Sequence, residues 1–128
     1  MLGGVALAKK VTCTCGSDDL EGTHRADKIW GLKGPDYIAG EGGSDDLYGR
    51  GKAEVRGADG YDYVAGGHGH DQLYGGRKND WLKAVDGERD CVNCGYGHDD
   101  KAYVDEIDRV NQNCEDVKEY DDKGVRRP

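Results

Sequence analysis

The sequence predicts an all-β fold, a parallel β-roll (a β-helix-like solenoid) of about ten nonapeptide repeats with a C-terminal cap. Three observations lead there. Glycine takes 22 of 128 positions, far above its usual share. Hydrophobic residues are only 35%, with no Phe and one Met, too few for an ordinary core in a domain of this size. The glycines also recur at a fixed spacing. Composition alone leaves two readings, disorder or a repeat architecture with glycine in its turns, and the spacing decides for the second.

The repeat is clearest mid-chain. Gly57-Ala58-Asp59-Gly60-Tyr61-Asp62-Tyr63-Val64-Ala65 is followed by Gly66-Gly67-His68-Gly69-His70-Asp71-Gln72-Leu73-Tyr74, then by Gly75-Gly76-Arg77-Lys78-Asn79-Asp80-Trp81-Leu82-Lys83. Position six is Asp and position eight is aliphatic. The frame runs back through 40–48, 31–39, 22–30 and 13–21. Forward, it takes one extra residue through 84–93 and resumes at Cys94. Position six then reads Asp18, Asp27, Asp36, Asp45, Asp62, Asp71, Asp80, Asp90 and Asp99. Position eight reads Leu20, Ile29, Ile38, Leu47, Val55, Val64, Leu73, Leu82 and Val92. The fifth unit, 49–56, is one residue short and has Ala53 where Asp belongs.

Each position has a physical reason. Turns at positions one to six need positive φ, which glycine takes without steric cost. Positions seven to nine form a short strand whose side chains alternate, so the residue at eight points inward while seven and nine point out. One aliphatic residue per unit fills a thin core between two sheets.

These units resemble the RTX, or haemolysin-type calcium-binding, nonapeptide G-G-x-G-x-D-x-U-x. The resemblance implies that two repeats make one coil and that Ca²⁺ ions sit between turns two repeats apart. The ligands implied are the position-six aspartates Asp18 to Asp99 named above and turn carbonyls, here assigned to Gly40, Gly43, Gly57, Gly60, Gly66, Gly67, Gly69, Gly75 and Gly76. Strands stacked about 4.8 Å apart would bring successive carboxylates together, with a repulsion of roughly 3 kcal/mol at an effective dielectric of ~20. A cation relieves it, and flexible all-oxygen ligation suits Ca²⁺ over Mg²⁺. Ordering one coil costs more backbone entropy than its two inward aliphatics return, so folding is expected to depend on the ion. Alternate units face opposite sides. One row, Asp27, Asp45, Asp62, Asp80 and Asp99, is continuous; the other, Asp18, Asp36, Asp71 and Asp90, is interrupted at Ala53, where Arg50, Lys52 and Arg56 are expected to replace part of the missing charge. The second unit, with Thr23, His24 and Arg25, lacks loop glycines and should bind weakly.

The sequence divides into a lead-in at 1–12, a roll at 13–93, a capping segment at 94–118 and a charged tail at 119–128. Asp86-Gly87, Asp90-x-Val92-x-Cys94-Gly95, Val104-Asp105, Asp108-x-Val110 and Cys114-Glu115 resemble the cap of small secreted RTX-like proteins of actinobacteria. That resemblance implies a Cys94–Cys114 disulfide, the alternative being two free thiols. Cys13 and Cys15 are too close for easy pairing, and Cys91 has no assigned role. Five cysteines suit an oxidising compartment. Ala6-Leu7-Ala8 reads as the end of a signal peptide whose start lies upstream, so the protein is expected outside the cell.

A net charge of −8 argues against nucleic acid and anionic membranes, and no stretch is long enough to span a bilayer. Cys91-Val92-Asn93-Cys94 lacks the second ligand pair of a zinc site. His68 and His70 fall at outward turn positions. The chain contains no H-E-x-x-H and no G-x-S-x-G, so no enzyme activity is expected. The expected protein is a free-standing, monomeric calcium-binding module. The alternative is an adhesive or polysaccharide-binding surface protein using the outward aromatics Trp30, Tyr37, Tyr48, Tyr63, Tyr74 and Trp81.

Overall fold

The computed structural model describes residues 17–97 and 99–120. The expected leader, Cys13, Cys15 and most of the tail lie outside them. Strands follow one another with only turns between: β1 (Asp19–Glu21), β2 (Lys28–Leu32), β3 (Asp36–Ala39), β4 (Asp46–Arg50), β5 (Ala53–Asp59), β6 (Tyr63–Gly67), β7 (Gln72–Arg77), β8 (Trp81–Lys83), β9 (Cys91–Tyr96), β10 (Lys101–Asp105), β11 (Arg109–Val110) and β12 (Asp116–Tyr120).

Odd strands form one six-stranded sheet in the order β1-β3-β5-β7-β9-β11, and even strands form the other, β12-β10-β8-β6-β4-β2. Every pairing is parallel. The chain therefore winds as a parallel β-roll, two strands to a coil. The expected repeat count was too low. About six coils are present because the wind continues through β10, β11 and β12, in the stretch read as cap.

Alternation along each short strand builds the core. Position eight points inward throughout, and the registers stack these residues directly: Ile29, Leu47, Val64, Leu82 and Ala102 on the even sheet, Leu20, Ile38, Val55, Leu73 and Val92 on the odd. All are buried. Position one, two residues on, faces inward as well. Glycine holds it through most of the roll, but Ala84 and Cys94 take it near the C-terminal end, and both are buried. There Cys94 is bonded to Cys114.

Left-handed backbone recurs at position two whatever residue stands there: Leu32, Glu41, Arg50 and Ala58 have φ of 69°, 78°, 72° and 74°, beside Gly67 at 80° and Gly76 at 103°. Position four repeats the bend at Gly34, Gly43, Gly60, Gly69 and Lys78. Two such bends per turn reverse the chain from one sheet to the other.

Candidate metal centre

Position six closes each turn, and its aspartate side chain points into the roll just ahead of the strand. In the even column the backbone N–H of Asp27 donates to Asp45 Oδ1 (2.8 Å), that of Asp45 to Asp62 Oδ1 (2.9 Å), that of Asp62 to Asp80 Oδ1 (2.9 Å) and that of Asp80 to Asp100 Oδ1 (2.7 Å). In the odd column Asp18 donates to Asp36 Oδ1, Ala53 to Asp71 Oδ1, Asp71 to Asp90 Oδ1 and Asp90 to Asp108 Oδ1. Each carboxylate thus ties its own turn to the turn one coil earlier.

The second oxygen is different. Oδ2 of Asp36, Asp45, Asp62, Asp71, Asp80, Asp90 and Asp100 is buried without a hydrogen-bond partner, as is Oδ2 of Asp86 in the turn before Asp90. These oxygens pack against position-one glycines. A Cβ on Gly57 would lie 2.5 Å from Asp62 Oδ2 and 2.6 Å from the Gly75 carbonyl oxygen. Gly66 and Gly75 stand in the same relation to Asp71 and Asp80, as Gly40 does to Asp45. Of the other expected glycines, Gly43, Gly60, Gly67, Gly69 and Gly76 supply positive-φ bends.

Burial raises the carboxyl pKa of these groups, neighbouring carboxylates raise it further, and the backbone N–H bonds offset only part. Asp45 and Asp71 are pushed up to about 7, Asp62 to about 6, Asp80 and Asp90 to about 8. Asp36, Asp86 and Asp100 are raised for the same leading reason. Rows of inward carboxylate oxygens whose negative charge is disfavoured by burial and by one another are a donor set for hard cations.

The even row is continuous, but its last member is Asp100. Asp99 is exposed, and its N–H donates to Asn79 Oδ1. The turn from Cys94 carries one residue more than the nine-residue count allows, which moves the inward place from Asp99 to Asp100. The odd row is interrupted at Ala53, where the Asp36 N–H donates to the Lys52 carbonyl instead. Arg56 does not fill that gap: it pairs with Glu54 and lies over the Tyr74 ring on the outer face. Arg50 and Lys52 are exposed. In the second unit Thr23 donates through its N–H (2.7 Å) and hydroxyl (2.9 Å) to Asp27 Oδ2, leaving Oδ1 as the unpartnered oxygen.

Sequence reasoning missed Asp86, Asp100, Asp105 and Asp108 as inward carboxylates. Asp108-Arg109-Val110 carries the Asp-x-aliphatic signature, and the Asp99-Asp100 doublet marks the frame slip. His68 and His70 are exposed as expected, with His70 Nδ1 2.9 Å from the Arg89 carbonyl.

A two-sheeted parallel roll, coiled every eighteen residues or so around paired rows of carboxylates, defines a class of cation-binding repeat protein. Residues 21–51 and 54–82 match the family model for the RTX calcium-binding nonapeptide repeat, in four copies. The matched stretch consists of RTX-type repeats, and the same coil extends past it to Tyr120. No curated protein and no solved structure gives a significant match. No helix among the described residues is long and apolar enough to cross a membrane.

Proposed function

We propose that this chain is an extracellular calcium-binding protein whose roll is set by ions held between stacked turns. The observation that carries the reading is the buried carboxylate oxygen without a partner, repeated from coil to coil. Asp45, Asp62, Asp80 and Asp100 would hold ions along the even row, and Asp36, Asp71 and Asp90 along the odd, with carbonyls of the glycine turns completing oxygen coordination. Bound Ca²⁺ supplies the positive charge that these rows otherwise lack. The Asp27 end binds weakly, because Thr23 already occupies Asp27 Oδ2, and the Asp36–Ala53 step binds weakly for want of a carboxylate.

Folding is coupled to the ion. Without it the roll must either bury mutually repelling carboxylates or take up protons, and both oppose the coil at neutral pH. The Cys94–Cys114 disulfide supports an oxidising, extracellular location, and the chain acts as a monomer without catalytic activity. A calcium titration followed by far-UV circular dichroism tests the coupling. The spectrum is expected to pass from disordered in excess EGTA to β-rich with calcium; a fully β-rich spectrum in excess EGTA would refute it.

A second reading rests on the outer face of the even sheet. Trp30 stacks on Tyr48 (centroids 5.6 Å apart, planes 10° apart), Tyr48 meets Tyr63, and Trp81, Tyr103 and Tyr120 continue the strip. Such a strip suits adhesion to a polysaccharide surface, whereas cross-strand packing alone also accounts for it. Retention on insoluble polysaccharide that is lost in Trp81→Ala, with the roll intact, would favour adhesion.

A further inference from the structure

The turn before β9, like the one before β10, carries one extra residue, and here Asp86 stands at the third place. One carboxylate oxygen from each of Asp71, Asp86 and Asp90 lies within 4.8 Å of the other two. Asp71 and Asp90 are 2% and 1% exposed, and Oδ2 of all three has no hydrogen-bond partner. Asp59 holds the corresponding place in the sixth unit, but it is exposed and joins no such group.

We infer that Asp86 makes the step between Asp71 and Asp90 a three-carboxylate calcium site that fills before the two-carboxylate steps of the roll. This rests on the calcium reading above and adds an order of filling to it. The surrounding acids are engaged elsewhere and fix the site. Asp105 Oδ2 accepts the N–H groups of Asp86 (2.8 Å) and Gly87 (2.6 Å). Asp108 Oδ2 accepts the Asp105 N–H (2.7 Å), and its Oδ1 accepts the Asp90 N–H (2.8 Å). Asp86 Oδ1 accepts the Glu88 N–H (2.8 Å). Asp86 Oδ2 is left to face the pair, held there in the rolled chain by backbone bonds. In oxygen sites, affinity for Ca²⁺ rises with ligand charge and with rigidity, and this turn supplies both.

Calorimetric calcium titration of the full chain, Asp86→Asn and Glu88→Gln tests the order. The unaltered chain is expected to show one site at least about tenfold tighter than the rest. Asp86→Asn should lose that site and keep the others. Glu88→Gln, which removes a neighbouring charge without removing a candidate ligand, should keep it. An unchanged isotherm in Asp86→Asn, or equal weakening in Glu88→Gln, overturns the inference. If Asp86→Asn does not form the roll at saturating calcium, a residue-resolved NMR titration of the unaltered chain decides. The amides of Gly87 and Asp90 should shift with the first equivalent of calcium; if those of Asp45 and Asp62 shift first, the order is overturned. A chain that takes up no calcium overturns the underlying reading too, whereas a single class of equal sites overturns only the order.

Discussion

At Gly57 a methyl group has no room between the Asp62 carboxylate and the carbonyl of the next coil. Gly57→Ala is expected to destabilise the roll by about 1–3 kcal/mol, by overpacking against backbone that cannot move aside, as read by denaturant unfolding at saturating calcium. One residue on, the sign reverses. Ala58 is held at a φ of 74°, a conformation that costs a residue with a Cβ roughly 1–2 kcal/mol. Ala58→Gly removes that strain against a smaller unfolded-state cost, for a net gain of about 0.5–1 kcal/mol in the same assay. Asp62→Asn separates two roles of one side chain. The amide oxygen still accepts the Asp45 N–H, but the charge is gone. Calcium affinity should fall about tenfold or more, while the calcium-free roll becomes easier to form, since burial already pushes the Asp62 carboxyl to about 6. Titrating both proteins with calcium and following circular dichroism in EGTA checks the two signs together.

Among the described elements, the C-terminal strands depend on a disulfide that the other described strands lack. Strand β11 has two residues, and Val117 in β12 is exposed. Cys94–Cys114 spans 20 residues and ties this end to β9, a closure worth about 3 kcal/mol. Reduction should lower the melting temperature and speed amide exchange in β10 and β12 well before β6; uniform exchange across all three would argue against a local role. The strands themselves were largely legible in the sequence. A nine-residue period with an aliphatic at position eight fixed β1 to β9, because one inward residue per short strand leaves no alternative register. Counting by nine failed where turns lengthen. The extra residue after Cys94 moved the inward carboxylate from Asp99 to Asp100, and turn length has no hydrophobic signature to betray it. The third carboxylate at Asp86 was hidden for a related reason, since its place depends on backbone bonds to Asp105, a coil away.

For the molecule as a whole, the raised carboxyl pKa values set opposite pH trends with and without calcium. Asp45, Asp71, Asp80 and Asp90 lie near 7 to 8 in the roll, against 3.8 when unperturbed. The calcium-free roll therefore binds more protons than the unfolded chain between about pH 4 and pH 8. Its stability should rise as pH falls through 8 to 4, and be lost as pH rises through the folded values. With calcium bound the carboxylates must be ionised, so acid competes with the ion and the trend inverts. Between pH 8 and pH 5, circular dichroism in calcium-free buffer should show β structure growing towards acid, while the melting midpoint in excess calcium falls; parallel movement would contradict the arrangement.

The coil also gives the chain a mechanical character. Each coil stores about 18 residues, so drawing one out lengthens the molecule by about 60 Å. Pulled from its two ends, the protein should lengthen in steps of that size, at a force that rises with the ions between the turns. The cystine withholds the section from Cys94 to Cys114 from extension, and a reducing solution would release it as added length.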